Sequence, residues 1–270
     1  MQFKFFCPKW GLENLSFEEA AKKVKAVDYD GMEIAAAPAQ SAEAIKVMRD
    51  HGLETILMAF GGGNKFPEHK TQFKKDLETI AAAKPLFINS HTGRDYFSHE
   101  QNAELIEVAM GVEKASGVKI LHETHRGRFT YSAPATQHYF VTFPNLRLTA
   151  DFSHWVNVSE SLLDDQSENM ERAIRHSDHI HCRVGHPEGP QVNDPRAPEW
   201  KYCLDAHLAW WDKIVALHQQ QGKQTVTITA EFGPAPGYLP TLPYTNLPVA
   251  SQWDVNVFMK DLLKTRYAKK

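Results

Sequence analysis

Residues 118–151 read VKILHETHRGRFTYSAPATQHYFVTFPNLRLTAD. Two short apolar runs, 118–123 and 146–151, flank a segment near 134–142 that we predict to be helical. Apolar runs of this length are typical of parallel strands that are buried on both faces, and the segment between them is typical of a crossover helix. The stretch therefore predicts one β–α–β unit.

The same unit recurs about every 30 residues along the chain, which is the usual size of a β–α–β repeat. We predict strands at residues 1–7, 32–35, 54–60, 86–89, 118–123, 146–151, 179–183 and 225–231. Helices are predicted near residues 17–27, 42–51, 68–82, 98–112, 134–142, 166–176, 204–215 and 255–262. Two of these helices begin with a capping box, at Ser16 with Glu19 and at Ser98 with Gln101.

Eight such units predict an α/β fold, a single (β/α)₈ TIM barrel domain that spans residues 1–270. The competing arrangement is a doubly wound open sheet. The chain lacks the glycine-rich dinucleotide fingerprint that often accompanies an open sheet, and this absence favours the barrel.

Composition and charge exclude some classes of protein. The chain is 42% hydrophobic and 23% charged, which is ordinary for a globular domain. No apolar run approaches the roughly 18 residues of a membrane span. The net charge of −3 provides no overall positive field for a polyanion, so we expect neither a nucleic-acid partner nor a membrane partner.

The N-terminal apolar run is too short for a secretory signal, and it is predicted to form the first strand. The three cysteines, Cys7, Cys182 and Cys203, form no C-x-x-C motif and are predicted to be small buried residues. Such sparse cysteines suit a reducing compartment, so we predict a cytoplasmic protein.

Four polar residues stand at the ends of otherwise apolar predicted strands: Glu123, Asp151, His181 and Glu231. The carboxyl ends of the strands of a barrel converge on one rim. Three carboxylates and one imidazole suit one divalent ion, namely Mn²⁺, Mg²⁺, Co²⁺ or Zn²⁺. Any one of these residues alone would be explained by solvation or by a hydrogen bond, so the prediction depends on the four together.

Further histidines lie near the same strand ends. His179 shares a face with His181 but lies one layer deeper, where we expect a hydrogen-bonded core histidine. His122 has the opposite parity to Glu123 along the same predicted strand, so we expect its side chain to point outward, among the helices. His154 follows Asp151 by three residues in a predicted loop, and we predict that it contacts substrate or metal.

His91, His125 and Arg183 follow predicted strands four, five and seven. We predict that all three contact substrate, because catalytic and binding residues of a barrel concentrate in the loops that follow its strands. The alternative for each is an ordinary hydrogen bond within its loop.

Two connections, 183–199 and 232–250, are much longer than the usual 2–6 residues of a βα loop. Both follow strands, so in a barrel they lie on the rim that carries the site. They are either covers for a substrate or stiff surface loops rich in proline and glycine. Within them Gln191 is predicted to bind substrate, and three further residues could form hydrogen bonds with it: His186, Asn193 and Tyr238.

The residues of this rim resemble a known family. Glu123, Asp151-Phe-Ser-His154, His179-Ile-His181 and Glu231-Phe-Gly resemble the xylose-isomerase-like superfamily of TIM barrels across nearly the whole chain. This superfamily includes sugar and sugar phosphate isomerases and epimerases, hydroxypyruvate isomerase, inosose dehydratase and endonuclease IV. The resemblance implies that Glu123, Asp151, His181 and Glu231 hold the metal and that His154 contacts substrate.

Two features depart from the ketose epimerases of that group. Arg183 follows His181 at a closer spacing than their arginine does, and the segment 183–195 is longer than their connection. The resemblance therefore supports the metal site more strongly than it supports any particular substrate.

Together, these observations predict a divalent-metal-dependent isomerase or epimerase of a small sugar or sugar-like polyol or ketose. Proton transfer would pass through a metal-stabilised enediolate, with Glu123 and Glu231 as general acid and base. The alternatives are a dehydratase or lyase that acts on a sugar, inosose or keto-glycoside, and a non-catalytic sugar-binding barrel. A nuclease is disfavoured by the acidic balance. The sequence is compatible with a homo-oligomer.

Overall fold

The computed structural model describes residues 1–268. Eight parallel strands follow one another in sequence order, and β8 pairs with β1 to close a barrel. The strands are Gln2–Pro8 (β1), Gly31–Ile34 (β2), Glu54–Ala59 (β3), Ile88–Ser90 (β4), Ile120–Glu123 (β5), Leu148–Ala150 (β6), Ser177–His181 (β7) and Thr225–Thr229 (β8). The predicted (β/α)₈ barrel is confirmed, and the open sheet is excluded.

Helices connect the strands and surround the barrel. They are Phe17–Lys25 (α1), Ser41–Asp50 (α2), Phe66–Ala82 (α3), His99–Ser116 (α4), Ala133–Thr142 (α5), Phe152–Val158 (α6), Ser167–His176 (α7), Lys201–Gln220 (α8) and Gln252–Tyr267 (α9). Both predicted capping boxes are present, at the starts of α1 and α4. Each satisfies backbone N–H groups that a helix start otherwise leaves without partners.

The short helix α6 corrects the expectation of a loop after β6. The Asp151 side chain accepts a hydrogen bond from the Ser153 backbone and caps this helix, so His154 lies in its first turn and not in a loop. Seven residues are too few to show a helical period in the sequence. The capping aspartate was the available signal.

The barrel interior is filled beneath the rim. Phe6, Ile56, Phe87 and Leu121 form an apolar cluster that is distinct from the large core between strands and helices. The ring of Phe87 lies 5.1 Å from the ring of His179, centroid to centroid. The lower barrel is therefore a packed core, which leaves the carboxyl rim as the place for a site.

The three cysteines lie buried as free thiols, as predicted. Within residues 1–268, no helix combines the length and the hydropathy needed to cross a bilayer.

Candidate functional site

The structure brings the four predicted ligands together on the carboxyl rim. Glu123 ends β5, Asp151 directly follows β6, His181 ends β7 and Glu231 lies two residues beyond β8. All four are buried, and their potential ligand atoms all lie within 4.8 Å of one another. Donors that share one ion lie roughly 2–2.6 Å from it, so this spacing is compatible with a common cation.

Three of these potential ligand atoms form no hydrogen bond with the described residues. Glu123 Oε1, His181 Nδ1 and Glu231 Oε2 are buried and have no hydrogen-bond partner there. His181 Nδ1 lies 2.8 Å from Glu231 Oε2, but the two atoms are not aligned for a hydrogen bond. A buried polar atom without a partner costs about 1–3 kcal/mol, so the residues fit a divalent cation that these atoms would bind.

The charges at the rim also favour a cation. Burial raises the pKa of Asp151 to about 6 despite the opposing charge of Arg183. Burial and the charge of Glu231 raise the pKa of Glu123. Burial alone would lower the pKa of His181, but the surrounding carboxylates, chiefly Glu231, raise it well above its usual value. A metal ion would compete with protons at these groups, so its affinity should increase with pH.

Glu33, which the sequence analysis placed in a strand without a role, is part of the site. It lies on β2, is 1% exposed, and its Oε2 accepts a hydrogen bond from His181 Nε2 at 2.9 Å. Asn89 Nδ2 donates to both Glu33 and Glu123, at 2.7 Å each. A proton held on Nε2 by Glu33 leaves Nδ1 of His181 as a free donor atom for a metal. An acid within the buried run 31–34 was the signal for this role.

His179 occupies the deeper position that its parity predicts. Its Nδ1 lies 2.8 Å from Thr227 Oγ1 and its Nε2 lies 3.0 Å from Thr229 Oγ1. Thr229 in turn donates to Glu33 Oε2 at 2.5 Å. This chain of hydrogen bonds anchors the Glu33 carboxylate beneath His181.

Arg183 lies just beyond β7 and is fully buried. Its guanidinium forms an ion pair with Asp151 and donates to His154 Nε2 at 2.6 Å and to Ser153 Oγ at 3.2 Å. Burial, with the nearby cation of Arg183, holds the pKa of His154 well below its usual value. His154 is therefore a neutral hydrogen-bond acceptor that orients Arg183.

A cavity of about 290 Å³ opens beside the four ligands. This volume is near the lower limit for ligand sites and suits a monosaccharide-sized molecule. One part of the wall is apolar or aromatic and consists of Trp10, Ala35, Met58, Phe60 and Tyr238. The polar part consists of His91, Glu123, His125, Arg128, Arg183 and Glu231.

Trp10 packs closely on the loop that follows β8. A Cβ atom added to Gly233 would lie 2.3 Å from the Trp10 ring, so only glycine fits beneath this indole. Trp10 is thereby fixed as one wall of the cavity.

Of the predicted substrate contacts, His91, His125 and Arg183 line this cavity. Burial lowers the pKa of His91 to about 4 and that of His125 to about 3, so both are neutral near pH 7. His91 Nε2 lies 2.8 Å from Glu123 Oε2. His91, Glu123 and His125 also offer three mutually close ligand atoms for an ion. His154 does not line the cavity and reaches it through Arg183.

Gln191, the fifth residue that we predicted to contact substrate, does not line the cavity. Its amide accepts from Gly233 N at 2.6 Å and donates to Gly233 O at 3.2 Å, which joins the two long connections to each other. Asn193 and His186 both contact Trp200. Beyond Arg183 and Glu231, only Tyr238 of these connections lines the cavity within residues 1–268. Sequence patterns did not reveal these contacts because each depends on how two separate loops pack.

A family model for the xylose isomerase-like TIM barrel matches residues 21–233, and the chain belongs to this family. No curated protein matches it by sequence. The fold is similar to that of 3-keto-D-glucoside 4-epimerase from E. coli, with a TM-score of 0.68, 15% identity and coverage of 98% of this chain and 100% of the epimerase.

Two other solved structures share the fold. A probable 3-DHS dehydratase from Bacillus anthracis has a TM-score of 0.62 at 16% identity, with 98% of this chain and 100% of the dehydratase covered. A D-psicose 3-epimerase has a TM-score of 0.59 at 12% identity, with 98% and 99% covered. These similarities show a shared barrel.

Proposed function

We propose that this protein is a divalent-metal-dependent enzyme that isomerises or epimerises a small sugar-like ketose. The observation that carries the proposal is the convergence of Glu123, Asp151, His181 and Glu231 within 4.8 Å beside a cavity of monosaccharide size. The two epimerases that share the fold are named for sugar substrates, and this supports the proposal.

The four ligands would hold one cation, which when bound supplies a Lewis acid that acidifies a C–H bond beside a carbonyl. Glu123 and Glu231 both line the cavity, at the carboxyl ends of β5 and β8, which lie three strands apart around the barrel. One carboxylate removes the proton from carbon and the other returns a proton. Return to the opposite face of the same carbon epimerises the sugar, and return to the neighbouring carbon isomerises it.

The two glutamates differ in their affinity for a proton. Burial and the charge of Glu231 raise the pKa of Glu123. Burial alone would raise the pKa of Glu231 too, but His181 lowers it below its usual value. A pair of carboxyl groups whose pKa values are separated by their surroundings is suited to the roles of acid and base. We therefore assign the base to Glu231 and the acid to Glu123.

Other residues of the cavity would position the substrate and exclude water. Trp10 and Tyr238 meet edge to face with ring centroids 4.8 Å apart and form an apolar wall suited to the C–H face of a sugar. The neutral imidazoles of His91 and His125 can each exchange hydrogen bonds with hydroxyl groups.

The test is a Mn²⁺ titration followed by incubation with a panel of ketoses in deuterium oxide, read by NMR. We expect one bound ion per chain and deuterium at a carbon beside the carbonyl. Asp151→Asn should lose most of the bound metal. Asp194→Asn is the matched control, because Asp194 pairs with Arg196 outside the ligand set, and it should bind Mn²⁺ normally.

Absence of Mn²⁺ binding in the wild-type protein, or full metal retention by Asp151→Asn under chelator, would contradict the ligand assignment. Loss of a hydroxyl group from the substrate after exchange would instead identify a dehydratase.

A further inference from the structure

Arg128 is a cavity residue whose charge has no partner. It follows β5 in the segment His125-Arg-Gly-Arg128 and lines the same cavity as Glu123 and Glu231. Its Nε and Nη1 atoms are buried and form no hydrogen bond among the described residues. Arg128 as a whole is half-buried, but a buried N–H donor without an acceptor is costly, so these two atoms indicate a missing ligand.

The two other arginines near the cavity, Arg183 and Arg126, already have hydrogen-bond or ion-pair partners within the protein. Arg183 is paired with Asp151 and His154. Arg126 donates through Nη1 to Asn157 at 3.1 Å, and its guanidinium lies 5.4 Å from the Tyr238 ring centroid. Arg128 therefore differs from its neighbours in having donors that point to no protein acceptor.

The charges around the cavity indicate the chemical class of the ligand that Arg128 lacks. The three carboxylates of the four-residue ligand set would be offset by Arg183 and by the dication proposed above. The further carboxylate of Glu33 accepts hydrogen bonds from Asn89, His181 and Thr229. None of these carboxylates forms an ion pair with Arg128, so its positive charge has no direct counter-charge among residues 1–268. A neutral sugar hydroxyl would satisfy its donors but would leave this charge without a direct counter-charge, whereas an anion would supply both.

We propose that the substrate carries an anionic group, a carboxylate or a phosphate, that binds Arg128. This inference rests on the proposed function and names its substrate class, a small polyhydroxylated carbonyl compound with one acidic end. A guanidinium presents paired N–H donors that match both kinds of anion, with stronger bonds than a neutral acceptor would form. The cavity of about 290 Å³ has room for one such monosaccharide.

The experiment compares three ketohexoses that differ only at carbon six: D-fructose, D-fructuronate and D-fructose 6-phosphate. Their dissociation constants are measured by calorimetry on Mn²⁺-saturated protein, as wild type, Arg128→Gln and Arg126→Gln. We expect at least one anionic sugar to bind about tenfold or more tightly than D-fructose, since hydrogen bonds between two charged groups are about twice as strong as those between neutral groups. The two anions distinguish a carboxylate from a phosphate.

Arg128→Gln should abolish this preference, because it should weaken binding of the anionic sugars much more than binding of D-fructose. Arg126→Gln removes the same charge two residues away and serves as the matched control, with a change of less than about threefold because Arg126 does not line the cavity and already donates to Asn157. Equal losses in both variants would indicate a general field and would overturn the inference. So would D-fructose binding as tightly as both anions, or failure of both anions to bind.

Two further measurements make the result decisive. Mn²⁺ titration of the same samples tests the proposed function by itself: absence of metal binding contradicts that function, whereas normal metal binding without anion preference contradicts only the role of Arg128. Urea unfolding of Arg128→Gln should show no loss of stability, because the side chain it replaces is half-buried and forms no ion pair among the described residues. A clear loss would assign Arg128 a structural role and overturn the inference.

Discussion

The two ends of strand β7 carry side chains in surroundings of opposite charge. At its amino end, the single carboxylate of Asp178 is surrounded by three cations: Lys119, Arg147 and Lys223. At its carboxyl end, the single imidazole of His181 is surrounded by three carboxylates: Glu33, Glu123 and Glu231.

The difference between these two ends lies in whether the groups satisfy one another. Burial alone would raise the pKa of Asp178, but Arg147 and the two lysines hold it well below its usual value. At the His181 end, buried oxygen and nitrogen atoms have no partner among the described residues. A cluster whose groups satisfy one another stabilises the fold, whereas one with unsatisfied donors is poised to bind a ligand. Substitutions at the two ends should therefore have different consequences.

The largest effect is expected at the carboxyl end. Glu123→Gln should reduce turnover by about 10³-fold, because a positioned proton-transfer group contributes 10²–10⁴-fold. The free energy of unfolding of the metal-free protein should stay the same or increase, since an unsatisfied buried acid is replaced by an amide. Deuterium exchange kinetics and urea titration measure the two quantities. Normal turnover in this variant would show that Glu123 transfers no proton.

At the amino end, the effect should fall on stability. Asp178→Asn leaves three cations without their shared counter-charge and should cost about 3 kcal/mol in the free energy of unfolding, the lower limit for breaking a buried ion pair. Turnover per folded molecule should not change. Asp50→Asn is the control, because Asp50 forms an ion pair with Lys46 that is exposed to water, so its loss should hardly change stability. Equal losses of stability in both variants would refute the comparison.

A smaller effect is expected at Glu33, which supports the ligand set without belonging to it. Glu33→Gln should weaken Mn²⁺ binding about 10- to 100-fold, because the residue that orients a histidine ligand and fixes its tautomer is lost. Glu54→Gln, which alters an acid paired with Lys4 outside the ligand set, should bind Mn²⁺ normally. Calorimetric titration measures both affinities, and unchanged binding by Glu33→Gln would remove Glu33 from the site.

The smallest effect concerns pH. The folded-state pKa of Asp178 is depressed, so its stabilising contribution is present above the unfolded-state pKa of about 3.9 and is lost as pH falls towards the folded value. The difference in unfolding free energy between wild type and Asp178→Asn should be constant from about pH 8 to pH 5 and should shrink below about pH 4. A difference that shrinks at higher pH would point to a titrating group other than Asp178.

The barrel fold can be predicted from local sequence patterns. Apolar runs, helical spacing and capping boxes recur along the chain, and each can be recognised within a few residues. The four ligands Glu123, Asp151, His181 and Glu231 were predictable for a related reason. The topology of a parallel barrel brings all strand ends to one rim, so position along a strand is enough to place a polar residue there.

Tertiary packing decided which polar groups at the rim acquire partners. Glu33 is 148 residues from His181, and no local pattern connects them. The amide of Gln191 binds a glycine of another loop, whereas Nε and Nη1 of Arg128, a cavity residue, meet no acceptor within residues 1–268. The reason is physical: a hydrogen bond or an ion pair depends on side-chain direction over a few ångströms, and that direction is set only when distant segments pack together.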